Sequence, residues 1–181
     1  MHGTENPSDW VQRWAHLIRP AGRVLDVACG AGRHMHWLAS RGHPVIGVDR
    51  NAQALALAAP AGQTVLADIE NAPWPLAGQT FDAVVVTHYL WRPLWPQLLQ
   101  SVAEGGVLIY ETFAAGNETV GKPSRPDFLL QAGELLRVTA DLHTVAYEEG
   151  FEAAPDRFVQ RIVAVRPTPC AEPARWPLHA R

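Results

Sequence analysis

The chain is poor in the residues that usually announce a special chemistry. It has one lysine, Lys122, and two cysteines, Cys29 and Cys170. Two cysteines cannot build a disulfide framework, and a reducing cytosol is the default compartment for such a composition. No spacing of cysteine or histidine matches a metal site. No apolar run reaches the roughly 18–20 residues that cross a bilayer, and the start lacks a basic-then-apolar leader pattern. Charged residues make up only 18% of the chain, with a formal net charge of −3. That excludes any overall attraction to nucleic acid or to an anionic membrane. No internal repeat is visible. What is present is 48% hydrophobic residue in 181 positions, enough for one well-filled core. We expect one domain over residues 1–167. Residues 168–181, proline-rich and without pattern, read as a loosely held tail.

The rest of the chain is organised around Arg23–Arg50, RVLDVACGAGRHMHWLASRGHPVIGVDR. Val24, Leu25, Val27 and Ala28 form a nearly unbroken apolar run, as a strand buried on both faces requires. Cys29, Gly30, Ala31 and Gly32 supply small residues where backbone must turn tightly and come close to something. A helix through Met35, Trp37, Leu38 and Ala39 follows and stops at Gly42. Val45, Ile46, Gly47 and Val48 make a second strand closing on Asp49. A βαβ unit of this kind holds a nucleoside over the carboxyl ends of its strands, with the acid on the ribose hydroxyls. A dinucleotide fingerprint wants glycine or alanine three positions beyond the second glycine. Met35 stands there, so a pyrophosphate turn is poorly matched.

The run Leu25-Asp26-Val27-Ala28-Cys29-Gly30-Ala31-Gly32, with Asp49 nineteen residues after Gly30, resembles the first motifs of class I S-adenosylmethionine (SAM) methyltransferases. That cofactor has no pyrophosphate, and an acid on the first strand, Asp26, suits a ligand bearing an ammonium and a sulfonium. The resemblance continues through Asp68-Ile69 and the Pro73-Trp74-Pro75-Leu76 loop into Phe81-Asp82-Ala83-Val84, and through Gly105-Gly106 into Val107-Leu108. The passage Tyr110–Phe113 onward is similar to small bacterial methyltransferases near the tellurite-resistance type. The implied fold is α/β and Rossmann-like. It has a doubly wound, seven-stranded, mainly parallel sheet in the order 3-2-1-4-5-7-6, strand 7 antiparallel.

In chain order, Ser8 caps a helix through Arg19, with Trp10, Trp14, Leu17 and Ile18 on one face. Packing on the sheet is the plainer reading of this helix. A lid placing Trp10, Arg13 or Trp14 against a ligand is the sharper one. Helix Ala52–Ala59, strand Thr64–Ala67, strand Phe81–Val86, helix Leu94–Ala103 and strand Val107–Tyr110 follow. Ala114–Asp127 has no periodicity and lies just past a strand end, the position of a substrate lid. Beyond a helix at Glu134–Ala140, Leu142–Tyr147 and Phe158–Val165 are strands. The roughly ten residues between them are too few for a parallel crossover, so they pair antiparallel.

The resemblance implies cofactor contacts at Asp26, Ala28, Gly30, Gly32, Arg33, His34, Asp49, Arg50, Asp68, Ile69 and Thr87. The end of the fourth strand offers His88 as a base or hydrogen-bonding group and Tyr89 as a pocket wall, and Glu111 follows the fifth strand. A structural histidine and an arginine-paired glutamate are the plain alternatives. Trp10, Trp14, Tyr89 and Trp91 are expected to wall the acceptor site, and Trp74, Trp91 and Trp95 suggest an aromatic cluster there. Methyl transfer by in-line displacement needs alignment and water exclusion first, with a base only for weak nucleophiles. The expected partner is a small-molecule methyl acceptor. No nucleic-acid or membrane partner is expected. Two competing readings are a nicotinamide-dependent oxidoreductase, disfavoured by Met35, and a SAM-binding sensor without catalysis. The sensor reading gains from the absence of an Asn-Pro-Pro-Tyr motif at Thr87-His88-Tyr89-Leu90.

Overall fold

A computed structural model describes residues 6–169 and 175–180. Residues 1–5, and residues 170–174 and 181 of the expected tail, lie outside the described residues. The strands are β1 (Val24–Val27), β2 (Val45–Asp49), β3 (Gln63–Leu66), β4 (Phe81–Thr87), β5 (Val102–Phe113), β6 (His143–Glu152) and β7 (Arg157–Val165). They form one sheet in the order β3-β2-β1-β4-β5-β7-β6. The first five run parallel, while β7 is antiparallel to both β5 and β6. The expected topology is thus the observed one.

Sequence dictates which side of the sheet each residue fills. Leu25 and Val27 of β1, Val84 and Val86 of β4, and Leu108 and Tyr110 of β5 join one core cluster. It packs against α4 (Trp95–Gln100) and α5 (Glu134–Val138). The alternate residues Val24, Ala83, Val85, Val107 and Ile109 join a second cluster. Its helices are α1 (Asp9–Trp14), α2 (Arg33–Ser40) and α3 (Ala52–Ala58). Both faces are covered, which is why the strands read as continuous apolar runs. In β1 the buried Asp26 interrupts this pattern on the α2 side.

Several expected boundaries shift for local reasons. The N-terminal helix keeps its Ser8 cap, whose hydroxyl accepts from the Trp10 and Val11 amides. It ends at Trp14, however, and a 3₁₀ turn covers Ala15–Leu17; the His16 ring is turned onto the Arg13 carbonyl at 2.8 Å. The expected helix Leu94–Ala103 is α-helical only from Trp95 to Gln100, after a 3₁₀ turn at Arg92–Leu94. Val102 leaves it to pair with Phe81, with a bulge before Ala83. A Cβ on Gly106 would lie 2.8 and 2.9 Å from the Ala103 and Phe81 carbonyl oxygens, so this crossing admits glycine alone. Consequently Glu111, Thr112 and Phe113 belong to β5 rather than following it. The last hairpin is tighter than the expected ten-residue link. Residues 153–156 suffice, because the ladder runs on through Gly150–Val159 to Glu152–Arg157.

Residues 114–127 are ordered by 3₁₀ turns at Asn117–Thr119 and, just beyond, Pro126–Phe128, and by a bridge from Ala114 to Leu130. In the tail, Trp176 packs on the second cluster and the Pro177 carbonyl meets His16 Nε2 at 2.9 Å. No helix among the described residues is long and apolar enough to cross a membrane.

Candidate active site

The turn after β1 is built by backbone that avoids ordinary L-residue conformations. Ala28, Gly30 and Gly32 have φ of 54°, 56° and 80°. Gly32 also lets α2 approach α3, since a Cβ there would sit 2.7 Å from the Ala58 methyl. The Cys29 amide reaches the Val48 carbonyl at 3.1 Å, fastening the turn to β2. Asp49 completes the fastening. Its two oxygens accept from the Gly30 and Asn51 amides, each at 2.8 Å. Both bonds leave carboxylate lone pairs directed to solvent, where a vicinal diol can donate.

Three cavities follow one another along the carboxyl ends of the strands. The inner one, about 150 Å³, is lined by Ala28, Asp49, Arg50, Asp68, Ile69 and Tyr89, among others. The middle one, about 560 Å³, has Ala28, Gly30, Arg33, His34, Thr87 and His88 in its wall. The outer one, about 500 Å³, includes Ser8, Trp10, Arg33, His88, Glu111 and Arg161. Ala28 is common to the first two, and Arg33 and His88 to the last two. The glycine turn therefore lies beneath a continuous trough.

Asp26 is 1% exposed, and its Oδ2 has no hydrogen-bond partner. Burial pushes its carboxyl up to about 7, against the pull of Arg33 and with a further push from Asp49. His34, also buried, stands over it at 3.9 Å. Burial, then Arg33 and His88, lower the imidazole to about 3. His34 is therefore neutral, and its Nε2 accepts from the Ser8 amide at 3.1 Å. The Asp26–His34 contact is thus not an ion pair. An orphaned buried carboxyl of this kind is expensive unless a donor or cation reaches it.

The remaining expectations divide. Asp68 lines the inner cavity, but its carboxylate is committed to its own loop. It accepts from the Glu70 and Asn71 amides and from Asn71 Nδ2, and the Asn71 bond is the main cause of its lowered pKa. Tyr89 was expected beside the acceptor; it instead lines the inner cavity with Asp49 and Ile69. Its buried hydroxyl has no hydrogen-bond partner. Trp10 reaches the outer cavity. Trp14 does not, being buried in edge-to-face contact with Trp10 and stacked on His16. Trp91, Trp74 and Trp95 pack with the cluster around α4 and wall none of the three cavities. The expected aromatic acceptor wall therefore does not form there.

Arg33 leans along the trough, with Nη2 3.4 Å from Thr87 Oγ1 and 3.3 Å from His88 Nδ1. His88 Nε2 lies 3.4 Å from Arg157 Nη1, and its ring stacks on Phe113. Glu111 is paired rather than free. Its oxygens accept from Ser8 Oγ and Arg161 Nη1, each at 3.0 Å. Arg161 also binds Glu148 and Glu152 and lies over the Trp10 ring. Sequence reading missed Glu148, Glu152, Arg157 and Arg161. Their signal was the cross-strand pairing of opposite charges, Glu148 with Arg161 and Glu152 with Arg157, which a correct turn length would have exposed.

The architecture is that of the class I methyltransferases. Residues 24–105, a little under half of the chain, match the model of a family described as "Methyltransferase domain". Among solved structures, TehB from Haemophilus influenzae is 22% identical with a TM-score of 0.75; the match covers 90% of this chain and 63% of that one. The chain thus spans under two thirds of that relative's length. A TehB-like SAM-dependent methyltransferase from Corynebacterium glutamicum is 18% identical with a TM-score of 0.66, covering 90% of each chain. A SAM-dependent methyltransferase from Methanosarcina mazei is 14% identical with a TM-score of 0.68, covering 90% of this chain and 99% of that one. No curated protein matches by sequence.

Proposed function

We propose that the chain transfers a methyl group from S-adenosylmethionine to a small polar acceptor. The observation that carries this reading is the three-cavity trough over the glycine turn, with Asp49 at one end and a charged chamber at the other. The residues fit the cofactor. Asp49 is placed for the ribose hydroxyls, and Ile69, Asp68 and Tyr89 surround the space for the base. Arg33, His34 and Thr87 line the amino-acid end. The orphaned Asp26 carboxyl suits an ammonium. When bound, the cofactor supplies an activated methyl on a sulfonium, which leaves as a neutral thioether on in-line attack.

The chain's own contribution is alignment and dryness. His88 stands where the middle and outer cavities meet. A guanidinium only donates, so a ring nitrogen facing Arg33 or Arg157 accepts, and the ring is held in a fixed plane on Phe113. It is placed to hydrogen-bond an incoming acceptor. Glu111, tied to Arg161 and Ser8, shapes the chamber instead of acting as a base. A chamber of about 500 Å³ holds one small molecule rather than a polymer. Its balance of carboxylates and guanidiniums favours a polar one.

A non-catalytic SAM sensor is the second reading, favoured by the pairing of Glu111. Titration calorimetry with S-adenosylhomocysteine and with NAD tests the cofactor. Turnover of labelled SAM on a panel of thiols, amines and phenols tests transfer. Binding of the first ligand without NAD, together with turnover, is expected. Binding without turnover on any acceptor class would leave the sensor.

A further inference from the structure

One residue ties the middle cavity to the outer chamber. His34 lines the first and Ser8 the second, and the Ser8 amide meets His34 Nε2 at 3.1 Å. On its other side the Ser8 hydroxyl donates to Glu111 Oε1 at 3.0 Å. A backbone amide only donates, so Nε2 accepts. The buried imidazole is kept neutral by burial, by Arg33 and by His88. A neutral ring has a single proton, and the bond at Nε2 leaves that proton on Nδ1.

Nδ1 is the nitrogen that faces Asp26, 3.9 Å from Oδ2. That is too far for a hydrogen bond, and this Oδ2 is the buried oxygen without a partner. The entry segment therefore dictates, through one imidazole, what the buried carboxyl meets. The rest of α1 is held independently. Trp10 Nε1 donates to the Ile162 carbonyl at 3.3 Å, Arg13 pairs with Glu148 at 3.0 Å, and Trp10, Val11 and Trp14 are buried. The Ser8 amide can thus be removed without unseating the helix.

We propose that Ser8 is a positioning residue for the cofactor site. Its amide fixes the His34 tautomer that presents Nδ1–H to Asp26, and cofactor binding tightens the entry segment in return. This rests on the cofactor reading above. An ammonium beside Asp26 favours the carboxylate, which draws the Nδ1 proton and makes Nε2 a better acceptor for the Ser8 amide. The coupling is reciprocal: what the ligand adds to this bond, the bond adds to the ligand. Ser8 also holds Glu111, so filling the cofactor end steadies a wall of the outer chamber.

Ser8 has φ of −53°, which proline adopts. Ser8→Pro therefore deletes the amide donor that Ser8→Ala keeps, and both lose the hydroxyl. In calorimetry Ser8→Pro is expected to bind S-adenosylhomocysteine about fivefold more weakly than Ser8→Ala does. The two variants should bind 5′-methylthioadenosine, which lacks the amino-acid end, within about twofold of each other. Nitrogen chemical shifts of the His34 ring read the tautomer directly. They should report Nδ1–H in the wild type and in Ser8→Ala, and lose that preference in Ser8→Pro. Amide hydrogen exchange in α1 should slow with S-adenosylhomocysteine in Ser8→Ala and not in Ser8→Pro. Failure of the wild type to bind S-adenosylhomocysteine overturns the cofactor reading and the coupling together. Equal S-adenosylhomocysteine affinity in the two variants, equal weakening of both ligands, or an Nε2–H ring in the wild type overturns the coupling alone.

Discussion

Asp26 makes the cofactor site sensitive to pH in a way that can be worked out in advance. Burial lets it keep its proton to about pH 7, against an ordinary value of 3.8. Between those limits the folded chain binds more protons than the unfolded one, so rising pH removes stability. The whole span corresponds to about 4 kcal/mol at about 1.4 kcal/mol per unit. His34 runs the opposite way. Its folded value of about 3 lies below 6.5, so rising pH adds stability across that window. The two effects oppose each other through most of the acid range, and the last part of the fall, up to about pH 7, belongs to Asp26 alone. A bound ammonium next to Asp26 favours the ionised carboxylate, so binding below pH 7 must expel a proton. Affinity for S-adenosylhomocysteine is then expected to fall by roughly tenfold per pH unit below 7 and to level off above it. Calorimetry in two buffers of different ionisation heat reads both the affinity and the proton. Asp26→Asn should abolish the proton release and flatten the profile. Equal wild-type affinity at about pH 6 and pH 8, or proton release that survives in Asp26→Asn, refutes the reasoning.

Three further outcomes are expected. Asp49→Ala removes the anchor of the Gly30 and Asn51 amides and the diol acceptor together, so S-adenosylhomocysteine affinity should drop on the order of a hundredfold by calorimetry. Gly47→Ala would place a methyl 2.2 Å from Met35 Sδ and 2.7 Å from Cys29 Sγ; chemical denaturation should show a loss of about 1–3 kcal/mol. Glu111→Gln removes the charge of Arg161's most buried partner while keeping an oxygen acceptor, and Glu148 and Glu152 still pair with the guanidinium; a stability loss of about 1–2 kcal/mol is expected from urea titration.

The fold was legible because its signals are local. Apolar runs with glycine stops marked β1, β2, β4 and β5, and the short link before the last strand dictated antiparallel pairing. The ends of elements were less so. Val102 has the spacing of a helix residue, and only its pairing with Phe81 across the sheet draws it into β5. The glycine turn and its fastening to Asp49 were visible for the same local reason, since Ala28, Gly30, Gly32 and Asp49 lie in one βαβ unit. The outer chamber was not. Glu111 meets Arg161 fifty residues later and Ser8 about a hundred residues earlier, contacts that no spacing announces. The tryptophans misled because aromatic residues beside a strand end fill a core as readily as a pocket.

The Arg161 guanidinium grips β5 through Glu111 and β6 through Glu148 and Glu152, while the entry helix rests its indole on the same group. The wall of the outer chamber is thus knit in large part from the entry helix, β5 and the final hairpin, whereas the inner cavity is lined from residues 28–89. Substitutions in the final hairpin can reshape the one without changing a residue that lines the other.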